Sequence, residues 1–225
     1  MRESGAPRVL VCGSCRVGKP LLRATSNVVD VAHFLAFSHN PPEALQQLRQ
    51  LRADSPQPPD YMRALLTMRT KWIEFADTTA DVAVLEVCAR QTHTLDAWLM
   101  PRRSVERMDR AGLEYEAHKL TDAEIRAGVA EFAAYLAPVP VLVVSHFSVD
   151  FPGVGRLASR DSLVAVVEGL DNVATFNPSA EVEAWGVADA ITDPAHYSDR
   201  FEAHLGAVLL KRCKAIISDD TIDPR

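Results

Sequence analysis

The chain has no glycine between Gly18 and Gly112, although 10 glycines occur among its 225 residues. That stretch lacks the residue that most readily enters φ > 0, so it is expected to be largely helical, with few tight turns. No hydrophobic run is long enough to span a bilayer; the longest, around Ala137–Ser145, carries Pro138 and Pro140. Met1–Ser14 holds one short apolar stretch and no long hydrophobic region of the secretory kind, so a soluble, cytoplasmic protein with no membrane partner is expected. Cysteine is scarce, and Cys12, Cys15, Cys88 and Cys213 are too scattered for a disulfide scaffold. A basic surplus is also missing. With 24 Lys+Arg against 30 Asp+Glu and a net charge of -6, nucleic acid is not the expected partner. What is present is ordinary for a globule: 48% hydrophobic and 24% charged residues exclude a disordered chain. The length suits one domain over residues 1–225, with a polar tail from Ser218 that frays.

Apolar runs alternate with helical patterns. Arg8-Val-Leu-Val-Cys12, Asp81–Cys88, Val139–Ser145 and Asn172–Phe176 read as strands, each bounded by turn or helix signals. Helices are expected at Pro41–Arg52, Tyr61–Phe75, Ser159–Leu170 and Ser198–Lys211. Another follows the capping box of Thr121 and Glu124, continued by Ile125, Val129, Phe132 and Leu136. Strands apolar throughout and separated by helices imply an α/β fold, a three-layer α/β/α sandwich on a short, mainly parallel sheet. In such folds chemistry gathers in the loops beyond the carboxyl ends of the strands. Four segments take those places: Gly13–Lys19, Glu86–Thr92, Ser145–Gly153 and Asn177–His196.

The first of these loops fits several motifs. Gly13-x-x-x-x-Gly18-Lys19 matches a P-loop as far as the lysine, but Pro20 stands where a Ser or Thr would ligate Mg²⁺. Cys12-x-x-Cys15 resembles a redox pair, although Cys12 ends an apolar strand; a zinc site has no second ligand pair, so no metal is expected. Alternatively Cys15 is a nucleophile on the turn after the first strand, beside Arg16 and a helix N-terminus, both of which favour thiolate. Gly13 would then admit substrate, and amides of Ser14–Arg16 would face an oxyanion. A small residue packed at a strand–helix corner is the alternative to that role.

A nucleophile of this kind needs a base, and the base an orienting group. Asp193-Pro-Ala-His196, just before the last helix, offers both: Asp193 within reach of one imidazole nitrogen, the other free to face Cys15. With Val9-Leu-Val-Cys-Gly-Ser-Cys-Arg16 at one end and Asp193–His196 at the other, the chain resembles the SGNH (GDSL-like) hydrolase superfamily. Cys15 stands where that family has its Ser, and Ser14 where it has its Asp. The Gly-Ser-Cys form, with Glu86-Val-Cys-Ala-Arg90 and Val144-Ser-His146, is similar to a Cys-containing offshoot that includes the GSCFA-type proteins and relatives associated with bacterial polysaccharide biosynthesis.

The resemblance implies a flavodoxin-like sheet and a Cys15–His196–Asp193 triad acting on an ester or thioester, as hydrolase or acyltransferase. No cofactor is required, and CoA or a carrier-protein thioester is a possible acyl donor to a small-molecule acceptor. The family's oxyanion Gly and Gly-x-Asn block are absent, so Arg90 or amides near it are expected to help Ser14–Arg16 instead. Glu86 would pair with Arg90 or Arg16, and His146, at the active edge of the sheet, reads as a hydrogen-bonded core histidine with a site role as the alternative. His33 and His39 flank Phe34–Phe37 and read as loop or core histidines, with the cleft as the alternative, while His93, His118 and His204 read as surface residues, and Arg156 and Arg160 as a solvated loop and helix start. Two other readings stay open: a non-catalytic protein of the same fold that binds CoA or another acylated or phosphorylated ligand, and a P-loop-like nucleotide enzyme.

Overall fold

The computed structural model describes residues 5–67, 77–151, 153, 155–156 and 163–218. Its elements in order are β1 (Val9–Cys12), α1 (Cys15–Ala24), β2 (Val28–Asp30), α2 (Pro41–Leu51), α3 (Asp60–Leu66), β3 (Val82–Val87), β4 (Gln91–Leu95), β5 (Trp98–Met100) and α4 (Arg102–Arg110). There follow β6 (Glu116–Lys119), α5 (Asp122–Leu136), β7 (Val141–Ser145), β8 (Asp150–Phe151), β9 (Gly155–Arg156), α6 (Val164–Val167) and β10 (Val173–Phe176). The chain closes with α7 (Ser179–Trp185), α8 (Val187–Ala190), β11 (Ile191–Asp193), β12 (His196–Tyr197) and α9 (Asp199–Ser218).

Five strands form one parallel sheet in the order β10-β7-β3-β1-β2. Numbered along the chain this is the 2-1-3-4-5 order of doubly wound folds, and the order reverses between β1 and β3. Alternation along the strands divides the core. Leu10, Cys12, Ala83, Leu85, Val141 and Val143 face α2, α5 and α6. Val9, Val11, Val82, Val84, Leu142 and Val144 face α1 and α9, where Val17, Leu21, Phe201, Leu205 and Leu209 meet them. The result is the three-layer α/β/α arrangement expected from the strand pattern.

The stretch poor in glycine is not largely helical. β4 and β5 form a hairpin, β6 pairs with the other edge of β4, and the three make an antiparallel sheet of order β5-β4-β6. Its turn needs no glycine because Asp96 takes φ 53, and Ala53 takes φ 56 where α2 ends. Asp tolerates the left-handed region better than most residues, so glycine content alone misjudged this segment. With α3 and α4 this small sheet encloses its own apolar cluster of Met62, Leu66, Leu95, Met100 and Met108.

Other expectations are shortened. The helix expected over Tyr61–Phe75 is described as Asp60–Leu66, and residues 68–76 lie outside the described residues. Of Ser159–Leu170 only Val164–Val167 is helical, with 159–162, including Arg160, outside the described residues. The tail from 219 onward is outside them too.

Candidate active site

The strand order reverses between β1 and β3, where a ligand crevice is expected in such a sheet, and the carboxyl end of β1 leads into the Gly13–Arg16 turn. Register puts Cys12 opposite Leu85, so Gly13 comes level with Glu86. A side chain at Gly13 would bring its Cβ to 2.7 Å from Glu86 Cβ and 2.7 Å from Val17 Cγ2. Close packing against Glu86 and Val17 therefore requires glycine at this position. Ser14 caps α1 and Cys15 is the first helical residue. The Ser14 N–H donates to Glu86 Oε2 at 2.6 Å, and the Arg16 N–H donates to Ser14 Oγ at 3.3 Å. Two of the three amides assigned to an oxyanion are thus engaged, leaving that of Cys15, which lies against its own sulfur.

Glu86 is the support of this turn. It is 1% exposed, and besides the Ser14 amide it accepts from Arg16 Nε at 2.8 Å. Burial by itself would raise its pKa, but the Arg16 charge, the Ser14 hydrogen bond and His146 outweigh burial and hold it at about 2. The expected partner choice resolves to Arg16. Another nitrogen of that guanidinium, Nη2, donates to Cys88 Sγ at 3.1 Å. His146 is buried and belongs to the support of Glu86, not to the cleft wall.

The thiol is not poised as a free thiolate. Burial pushes the Cys15 pKa up; Arg16 opposes this, but its charge is shared with Glu86, which also raises the thiol. The expectation that Arg16 and the helix end would prevail is corrected by that pairing. A neutral thiol needs a base to take its proton. At the other end of the chain, β11 and β12 pair as a short antiparallel hairpin with Asp193 opposite His196. His196 Nδ1 lies 3.0 and 2.9 Å from the two Asp193 oxygens. Burial works against the Asp193 charge, yet the Ala195 amide at 2.6 Å and the imidazole bring its pKa below the ordinary carboxylate value.

Cys15 and His196 line one cleft of about 870 Å³. Ser14 and Arg16 belong to its wall, with Phe37 and His39 from the loop before α2. The opposite wall is the small sheet and α4: Ala89, Gln91, His93, Arg102, Arg103, Val105 and Glu106. Among the described residues the lining thus holds three guanidinium groups, three imidazoles and the carboxylate of Glu106, with Arg16 already paired to Glu86 behind the wall. Neither α1 nor α4 has an acidic residue in its first turn to offset this. Of the two histidines flanking Phe34–Phe37, His39 lines the cleft with Phe37, whereas His33 sits near Asp30. His93 corrects its surface assignment. It packs edge-on to Tyr115 with its Nδ1 buried, and burial lowers its pKa.

Arg90 does not line the cleft. It forms an ion pair with Asp122 at the start of α5 and donates to Leu120 O at 3.4 Å. The amides beside it are unavailable as well, since Cys88 N–H and Ala89 N–H both donate to His39 O at 3.0 Å. Sequence reasoning missed Arg102 and Arg103. The alternation of Gln91–Leu95, the Asp96-Ala97 turn and the Pro101 helix start were the signals for the element that carries them.

The remaining motif readings are corrected by local geometry. Gly18 and Lys19 lie within α1 rather than in a phosphate-cradling loop, and Lys19 Nζ turns toward Glu202 Oε1 on α9, 3.9 Å away. Cys12 faces the α2 and α5 core, and burial raises its thiol far above the usual range, so it is no partner for Cys15. Among the described residues no group of three His, Cys, Asp or Glu side chains could hold a metal, and no helix is long and apolar enough to cross a membrane.

Compared with known protein families, the chain matches the TviD N-terminal domain over residues 7–109 and 96–212, which include both the Gly13–Arg16 turn and the Asp193–His196 hairpin. No curated protein and no solved structure matches it.

Proposed function

We propose that this chain, which belongs to the TviD N-terminal domain family, is an acyl-transferring enzyme with Cys15 as nucleophile, His196 as base and Asp193 as its orienting group. The observation that carries this reading is the convergence on one cleft of a cysteine at a helix start and an imidazole backed by a carboxylate. The family's association with Vi polysaccharide biosynthesis supports a sugar hydroxyl as acceptor. Arg102 and Arg103 in the cleft lining favour anionic substrates, whether the acceptor or the phosphates of a CoA or carrier-protein donor.

In the first step His196 Nε2 takes the Cys15 proton as sulfur attacks the donor carbonyl. The carbon–sulfur bond of the donor breaks and its thiolate leaves to solvent, where it picks up a proton. A thiol pKa of roughly 8.5 makes that departure easy. The Cys15 amide, in the first turn of α1, is the donor nearest the developing oxyanion. In the second step a hydroxyl oxygen attacks the acyl-cysteine and loses its proton to a base of the cleft. His196 returns its proton to the departing Cys15 sulfur.

The test is intact-mass detection of an acetyl adduct after exposure to 4-nitrophenyl acetate and, separately, acetyl-CoA. One adduct on Cys15, lost in Cys15→Ala and slowed in His196→Ala, is the expected result. Tight CoA binding with no adduct under any condition would instead favour a binding protein of the same fold.

A further inference from the structure

The cleft holds a second imidazole backed by a carboxylate, and the triad does not use it. His39 sits in the loop before α2 with its backbone fixed on both sides. Its N–H donates to Glu43 Oε2 at 2.9 Å, and its carbonyl accepts from the Cys88 and Ala89 amides at the end of β3. Glu43 is 1% exposed, and its other oxygen accepts from Asn40 Nδ2 at 3.0 Å. The ring of His39 presents Nδ1 to the interior, sealed from solvent and 3.7 Å from Glu43 Oε2, with no hydrogen bond among the described residues. The same residue lines the cleft that Cys15 lines, so the nitrogen on its open edge is Nε2.

This arrangement is not needed to hold the loop, because the backbone bonds already do so. What the ring adds is chemical. A buried carboxylate behind Nδ1 favours the tautomer with the proton on Nδ1, which leaves Nε2 as an acceptor toward the cleft. Asp193 imposes the same state on His196, whose Nε2 is occupied by the Cys15 proton once the acyl-enzyme has formed. The hydroxyl that attacks next is a far weaker acid than a thiol and needs its own base.

We infer that His39, oriented by Glu43, accepts the proton of the incoming hydroxyl in the second step. The inference rests on the Cys15 acyl-enzyme proposed above. In that step the acceptor O–H bond breaks, its proton goes to His39 Nε2, and the oxygen bonds to the acyl carbon. The carbon–sulfur bond to Cys15 breaks, and sulfur takes the proton held on His196. His39 then passes its proton to solvent, matching the one taken by the donor thiolate in the first step.

The experiment separates nucleophiles that need a base from those that do not. The acetyl-enzyme is formed with 4-nitrophenyl acetate and discharged with glycerol or with hydroxylamine, an amine nucleophile that attacks thioesters without losing a proton first. In His39→Gln the adduct still forms, discharge by glycerol slows about a hundredfold, and discharge by hydroxylamine keeps its rate. Glu43→Gln, which keeps an acceptor for the His39 amide, shifts the same ratio in the same direction by a smaller factor. Equal slowing with both nucleophiles, or no slowing with glycerol, overturns the assignment of His39 while leaving Cys15 in place. Failure of the unaltered protein to form any adduct overturns both.

Discussion

Glu86 is the residue on which the Gly13–Arg16 turn depends, and its cost and benefit are both large. A carboxylate buried at the end of a central strand would be unfavourable alone, but it satisfies the Ser14 amide and the Arg16 guanidinium. Removing one partner of a buried pair strands the other, so Glu86→Ala should lower unfolding stability by about 3–5 kcal/mol. Linkage gives a second signature. The folded pKa lies near 2 against 4.5 for the ordinary group, so the contribution is complete above about pH 4.5 and is lost as pH falls toward 2. Urea midpoints across that range should fall in the unaltered protein and show a shallower acid dependence in Glu86→Gln; equal slopes would remove Glu86 as the source. At this scale the sequence was informative where chemistry is local. Asp193 and His196 are three residues apart, so their pairing was legible. Arg90 was misread because its partner, Asp122, lies in another element and nothing in Cys88-Ala-Arg90 signals it.

Among elements, the crossing of α1 and α9 sets where Cys15 stands. α9 approaches through Gly206, where an added Cβ would lie 2.1 Å from Pro20 O and 2.8 Å from Pro20 C. Those are backbone atoms that cannot swing aside. Arg23 and Lys19 on α1 meet the buried Glu202 of α9 and fix the register, with Arg23 Nε 2.9 Å from Glu202 Oε2. Gly206→Ala should therefore separate the helices and cost about 1–3 kcal/mol, read as a lower melting temperature. The same change should slow adduct formation at Cys15 by displacing the start of α1. Normal acylation in a destabilised Gly206→Ala protein would show that the crossing does not position the thiol. The helices themselves were visible in the apolar spacing, but their closest point was not, because a lone helical glycine looks the same whether it faces solvent or another backbone.

The molecule as a whole is acidic, with a net charge of -6, yet Arg102 and Arg103 of α4 line its cleft beside Glu106, and Arg16 does so while paired with the buried Glu86. Bulk charge therefore does not describe the lining of the site. Arg102→Ala with Arg103→Ala should raise KM for an anionic donor such as acetyl-CoA about tenfold, with little change for neutral 4-nitrophenyl acetate. Added salt should narrow the gap by screening the exposed charges. An equal effect on both donors would mean that α4 shapes the cleft without reading charge.

From the sequence alone came the layers, the strand ends as the place of chemistry, and the end motifs at Cys15 and Asp193–His196. These follow from periods and spacings within a few residues, where backbone geometry leaves little choice. Tertiary structure decided the rest. It placed Glu86 level with Gly13 through the β1–β3 register, turned Arg90 out of the cleft, and brought α4 and the β4–β5 hairpin over it. It also set His39 in the same cleft wall as Cys15, with its carbonyl tied to the end of β3. Each of these depends on contacts between segments far apart in the chain, and no local pattern encodes which distant group a buried charge or an open hydrogen bond will meet.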